Sequence, residues 1–431
     1  MKSKKSYFAQ FTTLFMFLTM LVAPTAWGER KILYSFTGLA DGNAPASGLV
    51  LDAAGNLYGT TPSGGSQAGQ CLSIGGCGVV FELTPNSDGT WTDTTIHTFV
   101  GVADGIQPHG NLVLDGSGNL YGTTIYGGNG CTGYYSCGTV YELSPDGTGS
   151  WTETIIYTFK GGTDGNYPQA GLIFDSAGNL YGTTGFGANS ACNGLGCGTV
   201  FELTPSQNGT WAEHVLYAFQ DGTDGAEPGS ALTFDKAGNL YGTAAIGGTL
   251  TCNPPYGCGT IYELAASPGG WSQSVLHSFD CGNTGCFPSA GVVFNGRGDL
   301  FGNVIGGPSG YGFVFRLRQS GGSWNFALVH SFDLAHGAEP GATPVFDTMG
   351  RLFGTTVSGG HQNRSCKDGC GGVFLLAPGN GGIRFRFLGF GQATNGAGPE
   401  GSLIFDALGN AYGTTSGGGP NGGGTVFEIT P

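Results

Sequence analysis

Eight residues carry functional groups that could converge on one ligand: Gln107, His109, Tyr167, Gln169, Glu227, Phe287, Glu339 and Glu400. Each stands directly before or after a proline that recurs along the chain, at Pro45, Pro108, Pro168, Pro228, Pro288, Pro340 and Pro399. Carboxylates, amides, an imidazole and two aromatic rings suit a sugar, the rings stacking on its face and the polar groups bonding its hydroxyls. The carboxylates also offer a second chemistry. Two glutamates can act as acid and base in glycoside cleavage, so Glu227, Glu339 and Glu400, with His109, are the residues of a hydrolase or lyase alternative. The plainer alternative is a set of solvated loop residues, because a fold does not dictate a function.

These residues are singled out because they break a repeat. The stretch DAAGNLYGTT at 52–61 returns as DGSGNLYGTT at 115–124, DSAGNLYGTT at 175–184 and DKAGNLYGTA at 235–244. The aromatic residue of the triplet falls at Tyr58, Tyr121, Tyr181, Tyr241, Phe301, Phe353 and Tyr412, with spacings of 63, 60, 60, 60, 52 and 59. Before the landmark proline the copies read Ala44, Gln107, Tyr167, Glu227, Phe287, Glu339 and Gly398; after it they read Ala46, His109, Gln169, Gly229, Ser289, Gly341 and Glu400. Residues present in every copy serve the copy itself, whereas residues that vary are free to serve a ligand.

Each copy reads as four strands: GLVLD (48–52), LYGTT, GVVFEL (78–83) and TTIHTF (94–99), with the quoted ten residues forming the hairpin between the first two. The opening Asp caps that hairpin and Gly55 supplies a positive φ. Four-stranded units in tandem predict an all-β, seven-bladed propeller. KILYSF (31–36) matches a fourth strand and GTVFEIT (424–430) a third, so the N-terminal strand is expected to complete the last blade and close the ring. The long second-to-third and fourth-to-first loops then share one face, where the landmark prolines place the eight residues around a central channel.

Twelve cysteines form six local pairs, 71/77, 131/137, 192/197, 252/258, 281/286 and 366/370, which in an exported chain are expected to be disulfides. Thus Cys71, Cys77, Cys131, Cys137, Cys192, Cys197, Cys252, Cys258, Cys281, Cys286, Cys366 and Cys370 are all assigned to bridges. No zinc-finger spacing is present, and no metal site is expected. Calcium is the one ion the Asp-Gly pairs (Asp41, Asp104, Asp164, Asp224) could hold, but neither of its recurring loop patterns occurs, so no cofactor is expected and these aspartates read as structural. His97, His277 and His330 share a position with Tyr34, Tyr157 and Tyr217, which marks a packing site. The Trp-ended turn SDGTW (87–91) is shorter than a sialidase Asp-box, and no arginine triad accompanies it; seven of the eight arginines lie from Arg297 onward.

Lys2, Lys4 and Lys5 precede an apolar stretch, Phe11 to Val22, and Ala26-Trp27-Gly28 offers a cleavage site, so residues 1–28 read as a signal peptide and 29–431 as one domain. Removing the leader, with three lysines and no acid, takes the formal charge from −14 to −17. That charge argues against nucleic acid and anionic membranes as partners.

The unit D-x-x-G-N-L-Y-G-T-T…G-T-V-F-E-L-T-P resembles the repeat of the bacterial GloVer-containing proteins, the "choice-of-anchor tandem repeat" family. The resemblance implies an exported propeller and assigns no catalytic residues. Such proteins often end in a surface-sorting tail, whereas this chain stops at Pro431 inside the last blade, so a released or periplasmic monomer is expected. The function expected is that of a non-catalytic binding module for a glycan or a surface protein, with a purely structural repeat protein as the third alternative.

Overall fold

The computed structural model describes residues 29–131, 137–220, 222–379 and 381–430. The expected leader, 1–28, lies outside the described residues. Seven four-stranded antiparallel sheets form the blades of a propeller. The first blade runs Val50–Leu51, Leu57–Thr61, Val79–Pro85 and Trp91–Thr98, from the axis outward. The seventh joins Ile404–Phe405, Ala411–Thr415 and Thr425–Ile429 to the N-terminal strand Arg30–Ser35, which pairs antiparallel with the last strand from Arg30 opposite Ile429 to Ser35 opposite Thr425. The ring is closed as the split repeat implies.

The innermost strand is shorter than its sequence suggests. It is a two-residue ladder in six blades and reaches nine residues, Ile106–Leu114, only in the second. Upstream of that ladder, residues after the landmark proline wall the channel, and in the second blade they also pair, His109 with Thr123. The outermost strand is longer than expected and starts at the Trp, because Trp91 pairs with Pro85.

The repeated hairpin is held by its own side chains. Asp52 Oδ1 accepts the backbone N–H groups of Ala54 and Asn56, each at 2.8 Å, and Oδ2 accepts Asn56 Nδ2 at 2.9 Å. The Tyr58 hydroxyl lies 3.1 Å from both Asp52 and Glu82, so the first, second and third strands share one polar knot. Gly59 is required for another reason: a Cβ there would sit 2.5 Å from Cζ of the fully buried Phe81. Each core lies between blades. Tyr58, Val80 and Phe99 of the first blade pack with Leu112, Leu120 and Tyr141 of the second.

Candidate functional site

The landmark proline is the joint between consecutive blades. Gly78 precedes the third strand at φ +97°, and a Cβ there would meet Pro108 Cδ at 2.5 Å and Thr61 O at 2.4 Å. Proline of one blade therefore rests on glycine of the blade before, and the same contact joins Pro168 to Gly138 and Pro228 to Gly198.

That joint forces the preceding residue into an unusual conformation. Ala44, Gln107, Tyr167, Glu227, Phe287 and Glu339 all have φ between 55° and 65°, with Gly398 at 63°. A residue before proline favours extended backbone, and a non-glycine residue held left-handed costs on the order of 1–3 kcal/mol. Backbone hydrogen bonds offset that cost. The N–H of Gln107 donates to Cys77 O at 2.9 Å, Tyr167 to Cys137 O at 3.0 Å, Glu227 to Cys197 O at 2.9 Å and Phe287 to Cys258 O at 2.9 Å. Each acceptor belongs to the second cysteine of a disulfide in the preceding blade. On the other side, Tyr167 O and Glu227 O accept from Gly185 N and Ala245 N at 3.0 and 3.1 Å. The staples thus fix the carbonyls that hold these four residues, and Gly398 likewise donates to Cys370 O at 3.0 Å, whereas Ala44 and Glu339 donate to Gly423 O and Tyr311 O at 2.9 and 3.0 Å.

Five expected disulfides are formed: 71–77, 131–137, 192–197, 252–258 and 366–370. The sixth is a correction, since Cys281 and Cys286 are free thiols. The Cys281 thiol touches that of Cys286 without a bond, and the repeat also seats Cys281 against another pair. Its position is that of Gly161, where a Cβ would lie 3.1 Å and 3.2 Å from the sulfurs of Cys137 and Cys131. Cys281 accordingly points at the Cys252–Cys258 bridge, with its Sγ 2.8 Å from Cys258 Sγ and its N–H 3.1 Å from Cys252 Sγ.

At the mouth of the channel the structure brings Gln107, His109 and Glu400 together, along a cavity of ≈ 550 Å³ also lined by Ala44, Ala46 and Ser416. Gln169 stands deeper, in the channel wall beside His109 and Glu400. His109 Nδ1 is 3.1 Å from Gln169 O and so carries the proton, which leaves Nε2 free to accept. Burial lowers the His109 pKa, against the opposing pull of that carbonyl and of Glu400. Glu400 Oε1 accepts the Ser416 hydroxyl at 2.8 Å, and Glu339 Oε2 accepts that of Ser358 at 3.0 Å. Glu227, Phe287 and Glu339, in blades four to six, do not line this cavity. Glu227 is half-buried and its carboxyl pKa is raised by desolvation, while Phe287 is exposed.

Tyr167 belongs to an aromatic ledge that the sequence reading missed. Its ring meets Tyr126 and Phe186, each at 5.4 Å between centroids. The missed signal is the residue five places after the aromatic of the LYG triplet, just before a glycine, which varies as Ser63, Tyr126, Phe186, Ile246 and Ser358. This position forms a second variable row beside the landmark proline.

The other candidate chemistry resolves into structure. Asp41 accepts Thr37 N at 2.7 Å and the Tyr34 hydroxyl at 2.9 Å, and Asp164 and Asp224 each accept a Tyr hydroxyl at 2.9 Å. His277 stacks on Phe326 at 4.1 Å and His330 on Phe385 at 3.8 Å, in keeping with a packing position. His97, Asp104 and Glu153 bring ligand-type atoms within 4.8 Å of one another, but they occupy the outer position filled by Tyr157, Asp164 and Glu213 one blade on. Cys252 and Cys258, which cluster with Cys281, are already bonded to each other.

The chain matches the model of the Gloeobacter/Verrucomicrobia repeat over residues 126–366 and 248–431. Among solved structures it is similar to a structural-genomics crystal structure of a protein from Lactobacillus plantarum, at 14% identity and a TM-score of 0.49, covering 80% of this chain and 83% of that one. No curated protein matches it. With the matched segments spanning well over half its length, the chain belongs to the Gloeobacter/Verrucomicrobia repeat family.

Proposed function

We propose that this β-propeller is an exported, non-catalytic binding module that holds an extracellular glycan at the loop-face mouth of its channel. The observation that carries the reading is the ring of variable, left-handed residues, five of the seven hung on disulfide-stapled carbonyls. A ligand site of this kind is preorganised, so ordering it on binding costs little. The Tyr126–Tyr167–Phe186 ledge offers a stacking surface, and Gln107, His109 and Glu400 offer acceptors and donors at one mouth. Five disulfides suit an oxidising, non-cytoplasmic compartment, and no described helix is long and apolar enough to cross a membrane.

Binding is favoured over hydrolysis because the carboxylates are engaged separately, Glu339 by Ser358 and Glu400 by Ser416. The test incubates residues 29–431 with insoluble polysaccharides and assays both protein left in solution and sugar released. Depletion without release, weakened at least tenfold by Tyr167→Ala, supports the reading. Sugar release that vanishes in Glu227→Gln or Glu339→Gln would replace it with the hydrolase. If neither occurs, a protein ligand takes the place of the glycan.

A further inference from the structure

On the opposite face, five of the seven interfaces between blades are sealed by a Tyr–Trp pair among the described residues. Tyr58 meets Trp151 of the next blade, Tyr121 meets Trp211, Tyr181 meets Trp271, Tyr241 meets Trp324 and Tyr412 meets Trp91, all at 5.9–6.5 Å between centroids. Between the fifth and sixth blades the described residues form no such pair. Ile383 pairs with Pro378 in the register where Trp91 pairs with Pro85 and Trp211 with Pro205. A cavity of ≈ 660 Å³ opens there, within the range of small-molecule sites.

The lining changes with the seal. Tyr58 faces Glu82 across the second and third strands, whereas Phe301 faces Arg316 in the same register. A phenol and a carboxylate have become an apolar ring and a cation. Arg316 Nε is buried and has no hydrogen-bond partner among the described residues. Two carboxylates in the cavity wall are already taken: Asp299 holds Arg318 through two bonds of 2.8 and 2.6 Å, and Asp347 holds Arg351 at 2.5 Å. Arg297 and Arg316 keep no acid within ion-pair distance among the described residues. Below them Phe294, Phe301, Phe346 and Leu376 form an apolar floor. Met349 (67% exposed) and Ile383 (52% exposed) leave an apolar lip open to solvent.

We propose that this cavity binds a small amphiphilic carboxylate, its apolar part on the phenylalanine floor and its headgroup on Arg316. In a chain of net charge −14 with eight arginines, three of them, Arg297, Arg316 and Arg318, line this one cleft, which favours an anion there. A guanidinium with a free, desolvated N–H is the group that bonds a carboxylate most strongly.

The experiment titrates residues 29–431 calorimetrically with decanoate and with 2-naphthoate, keeping decanol as the neutral control. Two substitutions restore what the repeat places elsewhere, Ile383→Trp and Arg316→Glu, so both are expected to keep the fold, which circular dichroism checks. The native chain should bind at least one of the two acids saturably, the preferred one telling an alkyl from an aryl ligand. Arg316→Glu should weaken that binding tenfold or more while changing decanol little, and Ile383→Trp should abolish both. Absence of saturable binding by either acid, or unchanged affinity in either folded variant, overturns the proposal.

Discussion

The outer edges of the first three blades bury acids against each other, and this makes the ring's stability depend on pH in a direction that can be worked out. Glu153 lies 3.6 Å from His97 Nε2, and Asp104 lies 3.8 Å from the same atom. Both distances are too long for a charge-assisted hydrogen bond. Desolvation, reinforced by Asp104, raises the Glu153 pKa from the usual 4.5 to about 8, and desolvation pushes His97 down to about 4. Folding therefore favours a protonated Glu153, and its contribution is full below pH 4.5 and lost as the pH rises through about 8. His97 behaves oppositely: its contribution is full above 6.5 and lost as the pH falls through about 4. Glu153→Gln copies a swap the chain already makes, since Gln273 holds the equivalent position two blades on. Between pH 5 and 8, at 1.36 kcal/mol per pH unit, Glu153 alone would cost at most about 4 kcal/mol. Its edge is screened by solvent, which reduces this to about 1–2 kcal/mol. Denaturant unfolding of both proteins at pH 5, 6.5 and 8 should show the variant's advantage growing with pH. An advantage that stays flat, or turns into a loss at neutral pH, would refute the argument and indicate an ionised Glu153 paired with protonated His97.

Other consequences are as direct. Gly182→Ala places a Cβ 2.5 Å from Cζ of buried Phe201, and by the usual cost of overpacking it should lose about 1–3 kcal/mol in denaturant unfolding. Alkylation with a maleimide under denaturing, non-reducing conditions should add two labels per chain, at Cys281 and Cys286; a chain that takes none has the sixth bridge instead. Replacing Cys192 and Cys197 by serine releases the carbonyl that holds Glu227. Closure of so short a loop is worth only about 2 kcal/mol, so the midpoint of unfolding should move modestly while exchange of the Glu227 amide proton rises by at least tenfold.

The ring was legible because its determinants are local and repeated. The Asp/Asn-x-x-Gly turn, the alternation of the strands and the split last unit can each be read without any distant contact, and the turn recurs at seven positions. The site was legible only by position. The residues around the landmark proline ring the mouth, yet nothing in Gln107 or Glu227 announces a left-handed backbone, because that conformation is imposed by the previous blade's glycine and cysteine carbonyl. Tyr126 was overlooked because it ends a strand, and its contact with Tyr167 crosses a blade boundary. The Cys281–Cys286 expectation failed for a related reason: short separation brings the two thiols into contact, but the repeat also seats the Cys281 sulfur against the Cys252–Cys258 bridge, and no sixth bond forms.

The departures from the repeat are concentrated, and that concentration bears on function. Blades one to four use a tyrosine between two carboxylates on the hairpin face and a tyrosine or histidine beside Asp93, Glu153, Glu213 or Gln273 at the rim. Blades five and six replace the first with Phe301–Arg316 and Phe353–Leu375, and the second with His277 on Phe326 and His330 on Phe385. Packing alone does not call for this, since the seventh blade returns to Tyr412 and Glu428 and closes against Trp91. Losing the seal and gaining arginines in the same two blades opens a cavity and sets a cation in it. A ring maintained only for its shape would more simply repeat the Tyr–Trp contact between the fifth and sixth blades. The two faces therefore differ in kind: around the mouth every blade presents a variable residue on an identical backbone, whereas on the hairpin face the repeat is kept in most blades and rebuilt in the fifth and sixth.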